Sequence, residues 1–197
     1  MNKYIKTAVC MSFGTVKTAW TKLFHPGAFQ GSLICYASLR SEIMLDHGGQ
    51  LTIGKMLKIR EGSKIVVRKN GKCTIGNDCF INSNSLIVCH DSIIIGNHCQ
   101  ISPNVQIYDH DHDFRDKEGI KSKHFRCAPV VIGDNVWIGA DSVILRGTRI
   151  GNNCTIGAGS IIKSDIPDHS LVIQKRDTTV LEIVPQQKNV SDANAES

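Results

Sequence analysis

The segment Asp109-His110-Asp111-His112-Asp113 sets two imidazoles among three carboxylates within five consecutive residues. Imidazole is the side chain best matched to taking a proton from a hydroxyl near neutral pH. A carboxylate on one ring nitrogen would fix the tautomer and steady the imidazolium, leaving the other nitrogen free for substrate. His112 and His110 are therefore the two candidates for a general base. His90, His98, His124 and His169 are read as structural.

These residues interrupt a repeat, and the repeat must position them. From Ile132 an aliphatic residue recurs at every sixth position, through Ile138, Ile144, Ile150, Ile156 and Ile162. The same frame runs through Ile95, Ile101 and Ile107 and, after a two-residue phase shift, through Ile75, Ile81 and Ile87. Ile53, Ile59 and Ile65 form a less regular set. A period of six is neither helical nor a simple alternating strand. It describes a short strand and a corner, repeated, so that stacked coils bury a ladder of isoleucine. The glycine, asparagine and aspartate that follow the aliphatic position suit corners. The fold class expected is an all-β solenoid, a parallel β-helix. Between Ile107 and Ile132 the run DHDHDFRDKEGIKSKHFRCAPVV breaks the pattern. Residues 113–131 are expected to leave the prism as one long external loop over a neighbouring cleft.

The rest of the chain divides around this solenoid. Residues 1–50 are expected as an N-terminal helical or irregular cap, 51–181 as the β-helix, and 182–197, ending in VSDANAES, as a disordered tail. Tyr4, Ile5, Ala8, Val9, Phe13, Val16, Trp20 and Leu23 recur at helical spacing and are expected to pack on the first coil. Lys3, Lys6, Lys17 and Lys22 make peripheral membrane contact through residues 1–25 the sharper alternative. No apolar run approaches the ~20 residues that span a bilayer. Ser12, Thr15 and Lys17 interrupt the one short apolar stretch, which argues against a leader. A cytoplasmic location, at most at the inner face of the membrane, is the expectation. The net charge of +5 includes a cluster at Lys55, Lys58, Arg60, Lys64, Arg68, Lys69 and Lys72. Without helix-turn-helix, zinc-finger or RNA-binding spacing, it reads as a solvated face and no nucleic-acid partner is expected. Of eight cysteines, Cys79, Cys99 and Cys154 fall four residues after a repeat isoleucine. Sister repeats hold Ser85, Val105, Val136, Ser142, Thr148 and Ser160 in that slot, so it takes a small side chain and the thiols are read as free.

The hexad I-G-x-x-[STCV]-x, over roughly residues 50–175, resembles the hexapeptide-repeat family. That resemblance implies left-handed winding with three hexads per coil. Residues 95–175 are similar to the maltose, galactoside and capsular-sugar O-acetyltransferases, through Ile101-Ser-Pro-Asn-Val-Gln-Ile107 and then Ile132-Gly-Asp-Asn-Val-Trp-Ile-Gly-Ala140. The resemblance implies an acetyl-CoA-dependent O-acetyltransferase working as a homotrimer, without metal, by direct transfer to a saccharide. A cell-surface glycan or its precursor is the implied acceptor class. The family histidine falls on His112, and Trp137 on a tryptophan that packs against bound ligands. Oxyanion stabilisation would come from a backbone N–H near Gly139 or Ala140. The acetyl-CoA arm would run between subunits along Gly139, Ala140, Ala158, Gly159, Lys163 and Ser164, with Lys175 and Arg176 serving its phosphates. Asn84, Asp109 and Asp111 are expected at the acceptor. Lys163-Ser164 reverses the Thr-Lys order common in relatives, and Leu171-Val-Ile-Gln-Lys-Arg176 replaces their Gly-x-Pro turn. N-acetylation of a nucleotide-linked amino sugar, a non-catalytic binding module and a metal-dependent hydratase are the alternatives. The hydratase lacks its His-x4-His pair.

Overall fold

A computed structural model describes residues 3–175 and 179–180; Arg176 and the 182–197 segment lie outside the described residues. Each hexad makes a short strand and a turn, and three hexads return the chain to a point above its start. Three faces result. Face A holds the strands Phe29–Gly31, Gln50–Ile53, Lys72–Ile75, Ser92–Ile95, Val130–Ile132 and Arg149–Ile150. Face B holds Tyr36–Ala37, Lys58–Ile59, Phe80–Ile81, Gln100–Ile101, Trp137–Ile138, Thr155–Ile156 and Leu171–Val172. Face C holds Glu42–Leu45, Lys64–Val67, Leu86–Cys89, Gln106–Tyr108, Val143–Ile144 and Ile161–Ile162. Neighbours within each face are parallel throughout. This is the expected all-β solenoid, and it is consistent with the left-handed winding that the resemblance implies.

The isoleucine ladder is the core. On face A, Ile53, Ile75, Ile95, Ile132 and Ile150 stand in register. Face B stacks Ile59, Ile81, Ile101, Ile138 and Ile156. Face C stacks Ile65, Ile87, Ile107, Ile144 and Ile162. None of these side chains is more than 3% exposed. Each contributes about 1.5–3 kcal/mol by leaving water, and it does so only because the coils above and below cover it. The small slot two residues before each ladder position is buried as well, with Cys79, Cys99 and Cys154 among serine, threonine and valine. All eight cysteines are free and six are buried. Burial pushes the thiols of Cys35 and Cys73 up to about 12, so they stay protonated and act as packing groups.

The polar part of the hexad has its own role. At the corner from face A to face B, Asn77, Asn97, Asp134, Asn152 and Asp168 stand one above another. Each side-chain oxygen accepts the backbone N–H of the coil before it. Lys55 donates to Asn77 at 2.8 Å, Asn77 to Asn97 at 2.9 Å and Asn97 to Asp134 at 2.6 Å. Asp134 donates to Asn152 and Asn152 to Asp168, both at 2.8 Å. The preceding glycine lets the coils close up: a Cβ on Gly76 would lie 2.5 Å from the Gly96 carbonyl oxygen. His98 and His169 occupy the left-handed corner position, with φ of 56° and 58°, which accounts for both as structural residues.

The first coil corrects two expectations. It starts at Phe29, inside the segment read as cap, and pairs fully with the coil beginning at Gln50. Opposite Ile53 and Ile59 it carries Gly31 and Ala37 in place of isoleucine. Helix α1 (Lys3–Phe24) takes up the room so freed. It is the cap expected, but it seats its small, polar side. Gly14 lies against the backbone of Cys35 and Ala37, and Thr18 Oγ1 donates to the Leu33 carbonyl at 2.7 Å. Lys17 Nζ donates to the carbonyls of Ser38, Leu39 and Ser41. Val9, Phe13, Val16, Trp20 and Leu23, expected inside, face outward.

Candidate functional site

The corner from face C to face A is the variable one. From face A to B and from B to C six positions separate consecutive ladder residues, but from C to A Ile65 and Ile75 are ten apart and Ile87 and Ile95 eight. The two-residue phase shift in the sequence is therefore a wider corner at His90-Asp91. One coil later the same corner opens into a hairpin. Strand His110–His112 runs antiparallel to Phe125–Cys127, pairing His110 with Cys127, Asp111 with Arg126 and His112 with Phe125. The excursion begins at Asp109, earlier than the expected residue 113, and closes where the Ala128 N–H donates to the Asp109 carbonyl at 2.9 Å.

Asp109 pins the hairpin to the coil beneath. Its carboxylate is fully buried and accepts the His90 N–H at 2.8 Å and the Asp91 N–H at 2.7 Å. His110 Nδ1 lies 3.2 Å from the same group. Burial pushes the Asp109 carboxyl up, but the bonds from His110, His90 and Asp91 outweigh it and hold the group below its ordinary value. Expected at the acceptor, Asp109 is instead a positioning residue, because no face of it reaches solvent. Asp111 is exposed and ion-paired to Arg146 Nε at 2.5 Å. Gly147 beside that arginine donates to the Ala128 carbonyl at 3.1 Å, so the hairpin is also tied to the coil above.

The two histidines differ in setting. His110 is 13% exposed in its side chain and stacks on His90, with ring centroids 3.8 Å apart and planes at 27°. Phe125 and Tyr108 meet its ring edge-on, at 5.4 and 5.9 Å. His112 is exposed and lies against Phe125, with centroids 4.7 Å apart. Burial, and then the neighbouring His110, hold His90 below its ordinary value, so it stacks as a neutral ring near pH 7. Among the described residues no three His, Cys, Asp or Glu side chains converge to hold a metal ion.

The other predicted residues fall elsewhere on the prism. Trp137 projects outward from face B, its Nε1 donating to Ser102 Oγ at 3.0 Å. Face B lies opposite the hairpin corner, so the two do not meet within one chain. Gly139, Ala140, Ala158 and Gly159 line the corner from face B to face C. There a Cβ on Gly139 would lie 2.5 Å from the Ala158 nitrogen, and Gly159 donates to the Ala140 carbonyl at 2.7 Å. The Gly139 N–H is committed to the Ile156 carbonyl, leaving the Ala140 N–H as the available donor of the pair. Asn84 occupies the same edge with φ of 59°, away from the hairpin. Lys163 and Ser164 are exposed on the hairpin side, one coil above Arg146, and Lys175 is exposed just past the strand Leu171–Val172. The basic cluster is partly neutralised, Lys64 by Glu42 at 3.1 Å and Arg68 by Asp46 at 3.5 Å. Two shallow concavities, of about 580 and 530 Å3, lie along the Asn/Asp ladder, away from both histidines.

Sequence reasoning read His90 as structural without its contact to His110, and passed over Phe125. His90 was detectable: the coils here are 20 residues apart in register, as Val88 and Tyr108 show, so His90 lies directly beneath His110. Phe125 reaches His112 only through the hairpin pairing, for which the sequence carries no period.

Comparison with known proteins agrees with the repeat and the fold. The pattern described as "Bacterial transferase hexapeptide (six repeats)" matches residues 129–164, and "Hexapeptide repeat of succinyl-transferase" matches residues 72–109. A galactoside O-acetyltransferase of Lactococcus lactis is 39% identical over 98 residues, covering 48% of this chain and 45% of that protein. The chain thus spans about half the length of the curated relatives it matches. A galactoside acetyltransferase solved in complex with coenzyme A superposes with a TM-score of 0.51 at 24% identity, covering 87% of this chain and 78% of that one. AntD, an N-acyltransferase from Bacillus cereus solved with dTDP and 3-hydroxybutyryl-CoA, gives 0.63 at 21% identity, covering 78% and 81%. At these identities the two structures establish the shared fold.

Proposed function

We propose that the chain belongs to the hexapeptide-repeat family and that it transfers the acetyl group of acetyl-CoA to a hydroxyl of a saccharide. The observation that carries the reading is the hairpin. A regular solenoid is broken at one corner by a segment bearing an exposed imidazole, and the break is braced from the coil below and the coil above. His112 is the base. Its exposed ring takes the hydroxyl proton as the sugar oxygen attacks the thioester carbonyl. The tetrahedral intermediate collapses with loss of the CoA thiolate, which takes the proton back from the imidazolium. The products are a sugar acetate ester and CoA. The Ala140 N–H is the oxyanion donor.

The small-residue edge at Gly139, Ala140, Ala158 and Gly159 suits the pantetheine arm, since it lets a chain approach the backbone closely. That edge and the hairpin belong to different corners of the prism. They form one site only where the hairpin of one copy meets the B–C edge of the next, and so the working unit is a homotrimer with Trp137 facing a neighbour's hairpin. Asp109 favours a second reading, in which His110, its tautomer held by that carboxylate, is the base. His112→Ala should keep its fold and assembly and lose acetyl transfer by about 100-fold or more. Near-normal turnover in that variant, together with an inactive but folded His110→Ala, would move the base to His110.

A further inference from the structure

We infer that the outward face of helix α1 is a docking surface for an anionic lipid bilayer. The helix is mounted in reverse. Its buried side is Gly14, Thr18 and Thr21, of which Gly14 and Thr18 meet the backbone of the first coil, whereas Val9, Phe13, Val16, Trp20 and Leu23 form an exposed stripe at helical spacing. Val16, Trp20 and Leu23 are 60%, 63% and 71% exposed, and Trp20 packs against Phe24 with tilted rings 4.5 Å apart to extend the patch. Contiguous apolar surface of this kind marks a contact, since a folded chain rarely leaves it to water.

Charge selects the occupant. Residues 1–41 contain Lys3, Lys6, Lys17, Lys22 and Arg40 and no acidic residue, so they carry the whole net charge of +5, and the rest of the chain is balanced. Lys17 is spent on the first coil, and Arg40 on Glu61 at 2.7 Å. Lys22 stays exposed at the end of the helix nearest Trp20 and Leu23. An aromatic-bearing apolar stripe flanked only by cations is the pattern of a helix that lies in the lipid headgroup layer. No helix among the described residues is long and apolar enough to cross the membrane. Contact is therefore along the surface.

Flotation of the full chain on vesicles tests this independently of the proposed acetyl transfer. Vesicles of phosphatidylcholine mixed with phosphatidylglycerol should bind the protein at least about tenfold more tightly than phosphatidylcholine alone, and added salt should erode the difference. Val16→Ser combined with Trp20→Ser and Leu23→Ser touches no buried contact of the helix. It should melt like the wild type and lose vesicle binding by at least about tenfold. Lys22→Glu keeps the stripe and should lose only the preference for anionic lipid, which decides the matter if the triple variant misfolds. Failure of the wild type to float with anionic vesicles at low salt would overturn the inference. So would a folded triple variant that binds as well as the wild type. If the triple variant instead changes the oligomeric state in sedimentation while neither protein binds vesicles, the stripe belongs to a second copy and the lipid proposal falls.

Discussion

Removing the Asp109 carboxylate should be among the most damaging single changes in the hairpin. In Asp109→Ala the His90 and Asp91 N–H groups, now at 2.8 and 2.7 Å from carboxylate oxygens, lose their acceptor where solvent does not reach. An orphaned buried donor costs about 1–3 kcal/mol, so two cost roughly 2–6 kcal/mol. Asp109→Asn keeps one acceptor oxygen but turns an NH2 toward a donor, and should cost about half as much. Urea unfolding read by circular dichroism supplies the assay, with the midpoint falling at unchanged m. Acid supplies a second check. The folded-state carboxyl is held below its ordinary value, so its contribution is complete above an unfolded pKa of about 3.9 and disappears as pH falls through the folded value. The stability gap between wild type and Asp109→Asn should be flat from pH 5 to 7, by this reasoning, and narrow below about pH 4. A loss under about 0.5 kcal/mol for Asp109→Ala, or a gap that widens in acid, would refute the assignment of Asp109 as the hairpin's anchor.

Further outcomes follow from the coil geometry. Gly76→Ala drives a Cβ to 2.5 Å from the Gly96 oxygen and should destabilise the solenoid by at least about 1–3 kcal/mol in the same urea assay, although the corner faces water. A thiol reagent should label native protein only at Cys127 and more slowly at Cys10, with the six buried thiols reacting after unfolding. His112→Ala and Trp137→Ala should each be inactive alone; co-refolded in equal amounts, they should regain activity in about a quarter of sites, because each mixed interface can pair an intact hairpin with an intact tryptophan. No recovery would place both residues in a single-chain site.

The regular part of the fold could be read from the chain because each coil repeats the same local demands. Isoleucine marks the axis, glycine the close approach, and Asn or Asp the N–H of the next coil; all three recur at fixed spacing. The first coil escaped notice because helix α1 occupies its end, and Gly31 and Ala37 replace the isoleucines that would have revealed it. The helix was recognised and its facing was not. Helical spacing locates an apolar stripe but does not say whether it turns to protein or away, and here the first coil offers backbone carbonyls that suit Thr18 and Lys17 better than an aromatic. At the site, the Asp-His-Asp-His motif and Trp137 were visible as residue types. The burial of Asp109 was not, because its partners lie 18 and 19 residues upstream and meet it only when two coils stack.

The most direct test is chemical. Wild-type protein with acetyl-CoA and a panel of hydroxyl and amino sugars should release CoA thiol in step with acetyl ester on one class of hydroxyl sugar. The product should gain the mass of one acetyl group and revert under mild base. Thiol release that no sugar accelerates, or transfer confined to amines, would contradict His112 as a base acting on a saccharide hydroxyl.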